Sequence, residues 1–251
     1  DGDVAEISAE TYTIFDADKK EVTREITNID ISSQATSKGE FRHFMEKEIY
    51  EQPEAILNTI NGRVGGDDVL DNIFGLGSTD LFKKVKRIQI VACGTSLHAG
   101  RVAANWLSSI SELPCQIDYA SEYRYRNPHV DKNSLLINIS QSGETADTLA
   151  ALRYAKEKDY LGSVGICNVP TSSLARESDF VLFTNAGPEI GVASTKAFTT
   201  QLAGLMLLAL SIAKSKGVNP KLRTRVVTAL RSLPDIINQT LELKDQILEL
   251  A

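Results

Sequence analysis

Apolar residues along this chain fall into two alternating patterns, short continuous runs rich in β-formers and longer stretches at helical spacing. Five runs of the first kind, 87–92, 116–119, 134–139, 163–167 and 180–184, read as strands. Between and after them, 96–109, 121–126, 145–158, 172–177 and 195–214 read as helices. Strands that are apolar on both faces and alternate with helices pair in parallel and need a helical layer on each side. The pattern therefore predicts an α/β fold, a five-stranded parallel sheet flanked by helices as a three-layer sandwich.

The flanks read differently. Segments 12–15 and 21–26 border the polar 16–20 and predict a β-hairpin, too few strands to stand alone. Segment 32–39, rich in Ser, Thr, Gln and Gly, has little to bury and predicts a linker, so the hairpin is expected to belong to something upstream. Phe41, Phe44, Met45, Ile49, Ile56 and Leu57 recur at helical spacing, with Pro53 placed to kink or divide that helix. After the sheet, Asn219 and Pro220 offer a cap and a first-turn proline to a helix carrying Val226, Val227, Leu230, Ile237, Leu241 and Ile247, which Pro234 should interrupt. The expected division is 1–39, 40–216 and 217–251. The apolar last segment needs a partner, and a further domain is the expected one.

A length of 251 residues with 42% hydrophobic content supports a substantial core. The net charge of -6 arises from interspersed acids and bases with no long basic run, which argues against nucleic acid as a partner and means that an anionic ligand needs a local site. Cys93, Cys115 and Cys167 lie far apart with no CxxC spacing, as suits reduced thiols in a cytoplasm. The most apolar stretch, 202–213, is too short for a membrane span and contains Gly204 and Ser211, so it reads as a core helix; no secretory signal opens the chain. His43, His98 and His129 belong to no metal motif, and neither GxGxxG nor GxxxxGK[ST] occurs, leaving no sequence support for a metal, a dinucleotide or a nucleoside triphosphate.

In open parallel sheets, ligands bind beyond the carboxyl ends of the strands. Three polar clusters fall there: 93–96 after the first strand, 140–145 after the third, and 191–195 before the long helix. The second gathers three hydroxyls, an amide and Gly143 between an apolar strand and an Ala/Leu-rich helix, the composition of a phosphate cradle at a helix N-terminus. Simple helix capping by Ser and Thr explains the same residues, and Thr145 can serve both ends. Cys93 ahead of a helix can be an activated thiol or an inert one. Glu144 and Glu189 are the nearest candidate bases but equally fit solvated or capping carboxylates; Lys196 can form an imine, attract phosphate or be a surface charge.

The strings CGTS at 93–96, ASEYRYR at 120–126, SQSGETADT at 140–148, ICNVP at 166–170 and EIGVASTKAFTTQ at 189–201 resemble the glucosamine-6-phosphate synthase family, the isomerising glutamine–fructose-6-phosphate aminotransferases. HFMEKEIYEQP at 43–53 resembles the entry into that family's isomerase module, and 1–7 the end of its glutaminase domain. The resemblance implies the last part of a glutaminase domain and linker, then the first of two sugar-isomerase (SIS) domains, then a helical connection toward the second. It implies that Ser140, Gln141, Ser142 and Thr145, with Thr95 and Ser96, hold the phosphate of fructose 6-phosphate or glucosamine 6-phosphate, and that Cys93, Gly94, Val192, Ala193 and Ser194 line the sugar. Catalytic groups are expected in the second half, glutamine is expected to act only through the glutaminase domain, no cofactor or metal is implied, and the family suggests a cytoplasmic homodimer. A non-catalytic module that senses a phosphosugar is the main alternative, and a structural dimerisation domain the second.

Overall fold

The computed structural model describes residues 2–26 and 37–250 and divides into two compact units, Asp1–Thr36 and Ser37–Ala251. In the first unit, β1 (Val4–Ile7), β2 (Tyr12–Phe15) and β3 (Glu21–Val22) form an antiparallel sheet, with Val4 opposite Phe15 and Ile14 opposite Val22. The expected hairpin is therefore the second half of a three-stranded sheet. Strand β1 escaped the pattern because all four of its residues are exposed, and the second hairpin strand pairs over two residues rather than reaching 26. An exposed Arg24–Asp3 pair, at 2.7 Å, ties the chain just after β3 to the residue before β1. Most of the expected linker lies outside the described residues.

The second unit opens with α1 (Phe44–Tyr50) and α2 (Gln52–Ile60), separated at Glu51. Pro53 falls in the first turn of α2, where its missing N–H costs nothing, so it divides the predicted helix by starting a new one. A two-residue hairpin, β4 (Val64–Gly65) with β5 (Asp68–Val69), and α3 (Ser78–Lys84) follow; neither was anticipated. The sheet then runs β6 (Arg87–Ala92), β7 (Cys115–Tyr119), β8 (Ser134–Ile139), β9 (Gly162–Cys167) and β10 (Phe180–Phe183), all parallel, in the order β10-β9-β8-β6-β7. The connecting helices are α4 (Gly94–Ile110), α5 (Ala120–Tyr123), α6 (Ala146–Lys156) and α7 (Ser173–Glu177), followed by α8 (Lys196–Ser215). Strand alternation divides the core. Ile88, Ile90, Ile137 and Ile166 pack with Leu97, Leu107, Leu205 and Leu208 of α4 and α8, whereas Val91, Leu136 and Cys167 pack with Tyr123, Leu149 and Leu152 of α5 and α6.

Three sequence expectations change here. Helix α8 has 20 residues and, by length and composition, could cross a membrane; its place as a core helix comes from burial of 72% of its apolar window, not from shortness. Helix α9 (Pro220–Leu241) runs without a break through Pro234, since proline removes a single donor, to the Leu230 carbonyl, from a 22-residue helix and leaves the turns on either side intact. Asn219 stands at the N-cap position of α9 with φ 51°, and its amide donates to Ile110 O (2.9 Å) and Glu112 Oε1 (3.2 Å) instead of capping its own helix. Helix α9 packs on α2 and is held by Arg223, whose guanidinium pairs with Asp68 at 3.0 Å and also reaches the Val218 carbonyl. Helix α10 (Lys244–Leu250) follows, with no buried residue.

Candidate functional site

Strand β6 lies between β7 and β8, so the connections leaving its carboxyl end and that of β8 diverge to opposite faces of the sheet. Such a divergence opens a crevice. Ala92 and Ile139, the last residues of β6 and β8, are register partners, placing Cys93 and Ser140 about 5 Å apart as the first residues off two adjacent strands. The sheet order thus brings the clusters 93–96 and 140–145 together, which sequence alone left open.

The first cluster is the start of α4. Cys93 is its N-cap, Gly94 takes φ 55°, and the first intrahelical bond runs from Leu97 N–H to Cys93 O, so the amides of Gly94, Thr95 and Ser96 stand at the positive end of the helix. Thr95 and Gly94 are exposed and Cys93 half-buried; Ser96 is buried and accepts from Gln201 Nε2 of α8 at 3.1 Å.

The second cluster is internally bonded. Ser140 Oγ lies 2.9 Å from Thr145 Oγ1 and accepts from Gly143 N–H at 3.1 Å, while Ser142 Oγ accepts from Glu144 N–H at 3.1 Å. Backbone bonds from Asn168 N–H to Gln141 O and from Leu174 N–H to Gly143 O fasten it to the neighbouring connection. Gly143 has φ 67°, and a Cβ there would overlap the Ser172 side chain, so glycine is required twice over. Capping does not explain this cluster. Thr145 is the N-cap of α6 but makes no capping bond, its hydroxyl being turned to Ser140; Ser172, by contrast, does cap α7 through Ala175 N–H. The half-buried Gln141, Ser142 and Thr145 keep surface at the crevice while Ser140 is buried beneath them.

Acidic side chains hold the third cluster and the start of α7, as the capping reading of Glu144 and Glu189 allowed. Glu189 Oε1 accepts from Thr195 and Ala197 N–H, both at 2.9 Å, and so caps α8; Glu144 Oε1 accepts from Ser173 N–H at 2.6 Å at the start of α7. Both candidate bases hold helix starts. Lys196 is no surface charge: it is 3% exposed, and its Nζ bonds Glu51 Oε2 at 2.7 Å. Glu48, 2% exposed on α1, accepts from Ile190 and Gly191 N–H with Oε1 at 2.6 and 2.9 Å. Glu48 and Glu51 were not singled out, because an acid on an amphipathic helix carries no sign of a partner 142 residues away. Val192 and Ala193 are exposed and Ser194 half-buried at the tip of this connection.

Two of the three cysteines are inert thiols. Burial pushes the Cys167 thiol up to about 11 and the Cys115 thiol up to about 12, and both stay protonated at neutral pH. All three histidines are exposed, and no group of acids, histidines and cysteines suited to a metal occurs among the described residues.

A doubly wound parallel sheet with hydroxyl-rich helix starts at its switch point defines a class. The SIS domain family model matches residues 81–211, and the chain belongs to that family. Over its full length the chain is similar to the glutamine–fructose-6-phosphate aminotransferases (isomerizing) of Idiomarina loihiensis, 53% identical over 251 residues, and Shewanella oneidensis, 50% identical, in each case covering 41% of the relative. It is also similar in structure to the C-terminal domain of glucosamine-fructose-6-phosphate aminotransferase from Francisella tularensis, with a TM-score of 0.80 and 47% identity over 85% of this chain and 60% of that one. The chain thus spans 41% of the length of the curated relatives it matches.

Proposed function

We propose that this chain is the part of an isomerising glutamine–fructose-6-phosphate aminotransferase that binds the sugar phosphate. The single observation that supports this most is the pairing of Ala92 with Ile139, which sets two helix starts and their hydroxyls around one crevice. Two helix N-termini favour an anion, and Ser140, Gln141, Ser142 and Thr145, with Thr95 and Ser96, supply short donors for the three phosphate oxygens. Cys93, Gly94, Val192, Ala193 and Ser194 then border the sugar. Conversion of fructose 6-phosphate to glucosamine 6-phosphate needs ring opening, ammonia addition at the C2 carbonyl and a proton shift between C1 and C2, which is acid–base work without a cofactor. Glutamine is the business of a separate glutaminase domain in this reading, and the parent enzyme is a cytoplasmic homodimer.

Calorimetric titration and thermal unfolding test the reading. Fructose 6-phosphate, glucose 6-phosphate and glucosamine 6-phosphate are expected to bind and raise the melting temperature by mass action, and unphosphorylated fructose to do far less. Equal shifts from fructose and its phosphate would remove the cradle from 140–145. A phosphosugar-sensing module is the second reading, favoured by the use of both nearby carboxylates as caps; it requires that no longer form of the protein turn the sugar over.

A further inference from the structure

The proposed sugar-bordering residues Val192, Ala193 and Ser194 sit on a connection with little apolar burial of its own, between β10 and α8. Its first residues are held by the Asn168 side chain, which accepts from Ala186 N–H and donates to the Gly187 carbonyl, and the rest by a set of carboxyl groups. Glu189 ties the connection's own end to α8, but the two other carboxyl anchors come from the helix pair α1–α2: Glu48, through the Ile190 and Gly191 amides, and Glu51, through Lys196. That pair lies outside the residues matched by the SIS family model. Glu48 is the tighter anchor. Its Oε1 takes both amides, its Oε2 is buried without a partner, and a Cβ on Gly191 would lie 2.5 Å from that Oε2, so the backbone passes over the carboxyl group with no room for a side chain between them. A buried acid held this closely against backbone is a costly arrangement unless the position it sets matters.

We infer that Glu48 is a positioning residue for the sugar subsite: it holds the 190–194 backbone at the height at which that connection meets the sugar, leaving the phosphate loop untouched. The phosphate cradle at 140–145 is fastened by bonds to Ile166, Asn168 and Leu174 and not by Glu48; Asn168 also holds residues 186–187, upstream of the segment that Glu48 anchors. Loosening Glu48 should therefore lower affinity for the sugar part of the ligand and spare the part that binds phosphate. This rests on the proposed sugar-phosphate site.

The test compares two probes, fructose 6-phosphate and inorganic phosphate, by titration of the 251-residue chain and its variants, with urea unfolding alongside. Glu48→Ala is expected to raise the Kd for fructose 6-phosphate roughly tenfold and that for inorganic phosphate less than about twofold, the tenfold loss corresponding to about 1.4 kcal/mol. Glu48→Gln, whose amide oxygen can still accept both N–H groups, is expected to recover most of the loss. Gly191→Ala approaches the same contact from the other side and, by displacing the backbone, should reproduce the selective loss; it decides the matter where Glu48→Ala does not fold. An unchanged fructose 6-phosphate affinity in a folded variant, or an equal loss for both probes, overturns the inference. Failure of the wild-type chain to bind fructose 6-phosphate would instead overturn the site itself.

Discussion

Ser142 and Gly143 are neighbours with opposite expected behaviour. The Ser142 hydroxyl accepts one amide, Glu144 N–H, on a half-buried loop, so its loss is expected to cost the fold at most about 1 kcal/mol. As a phosphate donor it is worth more, roughly 1.5–3 kcal/mol, or about a tenfold to hundredfold loss of fructose 6-phosphate affinity in Ser142→Ala. Gly143→Ala reverses the balance. Its positive φ and the overlap with Ser172 should destabilise the chain by about 2–4 kcal/mol, read from urea unfolding, and distort the cradle as well. Ser142→Ala with unchanged affinity and a clear stability loss would reduce this serine to a local turn bond. The glycine's need to turn is legible in the string SQSGET; that Ser172 fills the space beside it is not, because Ser172 arrives from a different connection.

Elements divide by length and burial. Strands of four to six residues and helices of ten or more carry enough apolar positions to show a period, and the five strands of the parallel sheet fall within a residue or so of their expected bounds. The hairpin β4–β5 has two-residue strands and shows none, and β1 is exposed along its whole length. Proline is legible as a residue but not as an outcome. Pro53 starts a helix, whereas Pro234 sits inside one, 15 residues after Asn219, and withholds the N–H donor that the Leu230 carbonyl takes in a regular helix. Pro234→Ala restores that bond and a better helix former, so it is expected to raise unfolding stability by about 1–3 kcal/mol, measured by urea titration. No gain would mean that the helix already accommodates the ring through a local bend.

At the scale of the whole molecule, the question is whether binding and turnover reside together. Glu144 and Glu189 each accept backbone amides at the start of a helix, and moving either to take a proton from a sugar carbon would uncap that helix. The 251-residue chain is therefore expected to bind fructose 6-phosphate yet release no glucosamine 6-phosphate with glutamine or with ammonia. Product above a blank that persists through repurification would make one of these acids the base.

The chain's own pattern determined the strand and helix order, the parallel pairing, the three polar clusters at strand ends and, through whole strings such as SQSGETADT, the family. These are local properties, readable from periodicity and from residues a few positions apart. Tertiary structure alone decided the order β10-β9-β8-β6-β7, which makes 93–96 and 140–145 face one crevice, and the partners of the buried groups: Ser96 with Gln201, Lys196 with Glu51, Glu48 with Ile190 and Gly191. Each of those pairs joins residues more than 100 positions apart, and a buried polar group must take its partner from whatever the fold packs against it.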